Sequence, residues 1–254
     1  MRAADHRTFR EQLSTLLGQV PEGDAEARPA PATTTEPAMI AEAFGRLLKV
    51  MARVEEDHDS VSRAPRASQP TARLLEDDVT ELGEYAFRLI EELSRRFAHP
   101  AMDEQKRQTD DLTIGFALWI ARHGGHIETL EPVVDAIARV ANTTHDPGAL
   151  EQLSETIGTI ITAVSAVIQK DLDKFNPGRP WRVILLNQGI VATRSHNPAI
   201  MERAFSELVQ HLPEDAASFF TQGMEQMDAL NYPARVREVM ERYYRQWSVN
   251  RSLH

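Results

Sequence analysis

The sequence predicts an all-α protein, made of antiparallel α-hairpins in a helical array or irregular bundle and preceded by two amphipathic helices on linkers. Three observations carry this reading. Apolar residues recur at steps of three and four, the spacing that lines one face of an α-helix. Proline stands at the start of segment after segment, as in Asp146-Pro147 and Asn197-Pro198, where its missing N–H costs nothing in the first turn. The breaks between the later segments are short, which makes sequential neighbours antiparallel.

Taken in order, Phe9, Leu13, Leu16, Leu17 and Val20 form the first stripe, on a helix over about residues 5–20. The tract from Pro21 to Pro37 is rich in Pro, Ala and Thr, has nothing to bury and reads as a linker. A second helix, about 38–58, carries Ile40, Phe44, Leu47, Leu48, Met51 and Val54 and dissolves into the charge run Glu55 to Asp59. A second polar tract spans Ser60 to Thr71. Isolated amphipathic helices are marginal in water and need a surface to cover their stripe. Residues 1–72 are therefore expected to be a tethered pair of sticky helices, with Phe9, Leu13, Leu17, Phe44, Leu48 and Met51 as candidate partner-binding positions.

From Arg73 to about residue 248 the segments follow closely and predict a compact all-α domain, with 249–254 as a short tail. One helix carries Leu75 to Phe97 and ends before His99-Pro100; the next carries Leu112 to Ile120 and stops at Gly124-Gly125. Pro132 opens a third. Asp146-Pro147 opens a fourth, expected to run to about Asp173. Pro180 opens a helix that is apolar on nearly all sides, and further helices start at Pro198, Pro213 and Pro233.

Composition bounds the function. The chain has 254 residues, of which 42% are apolar and 26% charged, with a formal charge of −10. That balance argues against a nucleic-acid coat or a polybasic membrane binder. With no cysteine there is no disulfide framework, thiolate metal site or Cys nucleophile, which fits a cytoplasmic protein. The longest uncharged stretch, Thr156 to Gln169, is too short for the ~20 residues that span a bilayer. The common nucleotide and hydrolase motifs are missing, and no cofactor is implied.

Four constellations remain. Glu55 and His58 make one Glu-x-x-His, half of what a carboxylate-bridged di-iron site requires, and a solvated helix end also accounts for them. His123, His126 and Glu128 stand at a glycine turn where they can share a metal ion, or where His123 simply ends a helix. Arg182, Asn187, Gln188 and Arg194 are polar groups on an otherwise apolar helix. They either bind a ligand or pair among themselves and their neighbours. Arg242, Tyr243 and Trp247 on the last helix are candidate partner contacts, or pack that helix on the body. The expected role is a non-catalytic protein–protein interaction or assembly factor, by partner binding or self-association. The alternative is a ligand-binding protein or enzyme with a polar pocket on the helix near 180–195.

Overall fold

A computed structural model describes residues 5–20, 36–62, 69–97 and 100–249, and these are helical almost throughout. The helices are α1 (His6–Leu17), α2 (Pro37–Ser62), α3 (Gln69–Arg96), α4 (Asp103–Arg122), α5 (Glu131–Thr143) and α6 (Pro147–Ala163). They continue as α7 (Ala166–Gln169), α8 (Pro180–Arg194), α9 (Pro198–His211), α10 (Pro213–Leu230) and α11 (Ala234–Tyr244). A 3₁₀ turn, Pro100–Met102, precedes α4, and a π-helical turn, Arg245–Val249, follows α11. No strand occurs among the described residues, and no helix there is long and apolar enough to cross a membrane. The chain forms two compact units, one of residues 1–140 with 163–167 and the other of 141–162 with 168–254.

In the first unit α1 packs on α2, α2 on α3, α3 on α4, and α4 back on α1, closing a ring of contacts. The Asp5 carboxylate starts α1 by accepting the Thr8 N–H at 2.8 Å, which satisfies one of the orphan donors of the first turn. Phe9, Leu13 and Leu16 are buried, Leu17 is half-buried, and the Phe9 ring stacks on Phe116 at 4.1 Å. Gly115 permits that approach: a Cβ there would stand 2.9 Å from Phe9 Cε1. On α2, Ile40, Phe44, Leu47, Leu48, Met51 and Val54 are buried as well. The stripes expected to await a partner are thus covered within the chain's own unit. The expected boundary at Arg73 falls inside α3, with packed helices on both sides. The expected linkers lie largely outside the described residues, at 21–35 and 63–68, as do 250–254 of the expected tail.

Glu55 corrects the expectation that α2 dissolves into a solvated charge run, since α2 continues to Ser62. Its carboxylate accepts the His6 backbone N–H at 2.9 Å and the Trp119 indole N–H at 2.9 Å, and lies 2.5 Å from His6 Nδ1. One side chain therefore joins α1, α2 and α4. Asp110, buried on α4, is gripped by both Nε and Nη2 of Arg139, a charge-assisted fork that offsets its burial.

After α4 the chain turns through Gly124, whose φ of 80° is left-handed backbone that suits glycine. The turn is fastened by α3, because Thr80 accepts the His126 N–H and Glu84 accepts those of Glu128 and Thr129. Within this turn Ile127 makes a parallel bridge with Val164: Ile127 donates to Ala163 at 2.8 Å and accepts from Ser165 at 2.9 Å. These two bonds divert the backbone and end α6 at Ala163, some ten residues before the expected stop near Asp173.

In the second unit α8 packs on α9; α9, α10 and α11 pack on one another; and the π-helical turn packs on α10 and α11. Asp146 and Asn197 cap their helices as expected, each side chain accepting an N–H of the first turn. The core gathers Met201, Phe205, Leu208, Phe220, Val236, Met240 and Tyr243, with the rings of Phe205, Phe220 and Tyr243 about each other at 5.1 to 5.2 Å. Such ring pairs add roughly 0.5–1.5 kcal/mol each beyond the area they bury.

Candidate functional site

Two features of the second unit stand apart from its packing. The first is the segment from Asp171 to Arg179, which connects α7 to α8. Asp171 has φ 49°, in the left-handed region, and its carboxylate receives Arg179 Nε at 2.5 Å, both side chains being more than nine-tenths buried. Arg179 also donates to the Asn176 carbonyl, and Arg182 donates to the Pro177 carbonyl at 2.9 Å while pairing with Asp215 at 2.6 Å. Lys174 binds Glu214 at 2.8 Å. Glu214 and Asp215 occupy the first turn of α10, where the helix dipole favours negative charge. The Lys174 ammonium holds the Glu214 carboxyl below its ordinary range, with help from the backbone N–H of Glu214 itself.

This clasp holds a loop that buries almost nothing apolar of its own. Phe175 is 100% exposed and Leu172 83%. Ordering a loop costs conformational entropy, usually offset by burying its apolar side chains. Here one buried ion pair, Asp171–Arg179, ties the loop at its base with the more exposed Arg182–Asp215 and Lys174–Glu214 pairs around it, and the apolar side chains are left in solvent.

The second feature is a cleft of about 530 Å³ between α6, α8 and α9. Gln188 lines it and is only 4% exposed, yet its Oε1 is buried with no hydrogen-bond partner; Glu207 lines it too, with Oε2 in the same condition. Gly158 lies against the Gln188 amide, since a Cβ there would stand 3.1 Å from Nε2. Ile200 and Ala204 supply apolar wall. Arg203 pairs with Glu155 at 3.3 Å, both well exposed.

The polar residues anticipated on α8 divide. Arg182 is committed to Asp215, and Arg194 donates to the carbonyls of Ala141 and Thr144 at 2.7 and 2.6 Å, capping the end of α5. Each arginine is thus bonded to its own partners within the second unit. Asn187 has a buried Nδ2 without a partner, and Gln188 alone faces the cleft. Glu207, on a different helix, was not singled out by the sequence, because nothing local distinguishes it from any polar helix position.

On α11, Tyr243 is 9% exposed in the aromatic core, with its hydroxyl 3.2 Å from Ser206 and from Glu202. Arg242 pairs with Glu202 and lies over the Tyr243 ring at 5.5 Å, and Trp247 packs against the same core. Tyr243 and Trp247 thus contribute to the packing of this unit, while the Arg242 side chain is mostly exposed. His123 directs Nδ1 to the Trp119 carbonyl at 2.8 Å and lies against the rings of Trp119 and His58. Among the described residues no group of three or more His, Asp or Glu side chains is placed to hold a metal ion, so His123, His126 and Glu128 do not converge.

Comparison with protein-family models, with curated proteins and with solved structures gives no match for this chain.

Proposed function

We propose that this protein is a non-catalytic protein–protein interaction or assembly factor, and that its contact element is the loop from Asp171 to Arg179. The observation that carries this reading is the combination of a fully exposed Phe175, with Leu172 beside it in sequence, and a loop base fixed by the buried Asp171–Arg179 ion pair. Scattered exposed apolar residues are ordinary on protein surfaces. A pre-ordered loop that presents two of them is a different arrangement, because the entropy of fixing the contact residues has already been met before a partner arrives. In this reading α8 to α11 pair as antiparallel hairpins that support the loop, which the short connections between them favour.

The reading moves the contact surface away from the N-terminal helices, whose stripes are occupied within their own unit. It is tested with a photo-cross-linking residue placed at position 175 in the native host, with a second placed at the exposed Lys49 as the control. A discrete adduct at 175 that is absent at 49, and lost when Leu172 is replaced by Ser in the same chain, is the expected outcome. Leu172→Ser and Phe175→Ser should change stability by only about 0.5 kcal/mol or less, as exposed substitutions do. An adduct pattern at 175 indistinguishable from that at 49 would refute the proposal.

A further inference from the structure

The cleft between α6, α8 and α9 is independent of the docking loop. It is lined by two residues on different helices, Gln188 and Glu207, each of which has a buried oxygen, Oε1 and Oε2 respectively, without a hydrogen-bond partner. A buried polar atom left unpaired is costly, so such atoms are ordinarily matched by a donor. The surrounding chemistry indicates which kind of donor. Thr159 and Thr162 line the cleft and give their hydroxyl hydrogens to helix carbonyls, at 3.0 and 2.7 Å, which leaves them only lone pairs to offer. The charges of Arg203 and Glu155 are paired with each other, so Glu207 is the uncompensated charge on the walls. An anion would meet the like charge of Glu207, with the Arg203 charge already engaged by Glu155. A cation carrying several N–H groups meets complementary groups.

We propose that this cleft binds a small alkylammonium ion, whose N–H groups donate to Glu207 Oε2 and Gln188 Oε1 and whose carbon chain lies on Ile200 and Ala204. The volume is within the range of small-molecule sites, and the wall is mixed in the expected way, apolar along its length with a few polar groups that fix orientation. Gly158 has a direct part in this, because a side chain there would displace the Gln188 amide.

The test is calorimetric titration of the full chain with n-butylammonium chloride at fixed ionic strength, with sodium butyrate and n-butanol as controls. The expected result is saturable binding of the ammonium with one site per chain, and none of butyrate. Glu207→Gln and Gln188→Leu should each lower the affinity by about tenfold or more, whereas Glu225→Gln, an exposed position on α10 that does not line the cleft, should leave it within about twofold. Backbone amide shifts of the wild-type protein supply a readout that needs no variant, and Gly158 and Gln188 should move along one binding curve. Absence of saturation, equal binding of butyrate, or shifts confined to other helices would each overturn the proposal, as would a cleft that holds only ordered water during the titration.

Discussion

Replacing Phe9 by Ala decides whether α1 belongs to the first unit or is a tethered recruiting helix. The ring is 1% exposed and stacked on Phe116, and the residue beneath it is Gly115, which has no side chain to collapse into the space. The hole should persist, placing the loss in the ~3–5 kcal/mol range of buried Phe→Ala substitutions. At 1.4 kcal/mol per decade this is about two to three and a half orders of magnitude in the opening equilibrium of α1. Hydrogen exchange measured on the peptide spanning α1 reports that equilibrium directly. Protection in the wild type should fall by roughly that factor in Phe9→Ala, while peptides of α9 and α10 stay unchanged. A helix that is already unprotected in the wild type, or whose protection is insensitive to the substitution, would refute the packing argument.

Two glycines should respond in opposite directions to the same change. Gly45 on α2 has nothing within 4 Å of an added Cβ, so Gly45→Ala should stabilise by up to ~1 kcal/mol through helix propensity alone. At Gly189 the added Cβ would stand 2.6 Å from Phe219 Cζ, and overpacking of ~1–3 kcal/mol outweighs the same gain, so Gly189→Ala should lower the urea midpoint. Asp5→Ala should cost ~0.5–2 kcal/mol at neutral pH. The Thr8 N–H holds the Asp5 carboxyl below its ordinary 3.8, so this stabilisation is fully present above that value and is lost as pH falls through the lowered one. The difference between wild type and Asp5→Ala should therefore close on acidification, as followed by urea unfolding at a series of pH values. Glu214 has the same sign, and acid should loosen the clasp of the 171–179 loop toward proteolysis.

The features that the sequence made legible are those decided within a few residues. Asp146-Pro147 and Asn197-Pro198 start helices because the cap and the proline act on the next turn, and those helices begin where expected. The end of α6 was not legible, because it is set by Ile127, 36 residues away from Ala163, whose carbonyl it bonds. The stripes of α1 and α2 were visible as sticky faces, but a stripe does not say what covers it. Glu55 shows the same limit for charge. It reads as part of a solvated run, and only its meeting with His6 and Trp119 makes it an anchor. Of the cleft, Gln188 was visible as a polar residue on an apolar helix. Glu207 was not, since its significance comes from a neighbour on another helix. Leu172 falls within the helix expected to run to about Asp173, which the chain ends at Ala163, so the exposed loop is not legible in the sequence.

The bridge at Ile127 also bears on the order of biosynthesis. Residues 163–167 complete the first unit, yet residues 141–162 of the second lie before them in the chain. When the helices α1 to α4 have emerged from the ribosome, the bonds of Ile127 to Ala163 and Ser165 are still unmade, and they form only after residues 141–162 of the second unit have been synthesised. The same connectivity means that no single cut separates the units: a fragment ending at residue 140 lacks Val164, the bridge partner of Ile127, and one beginning at 141 carries the five residues 163–167 of the first unit.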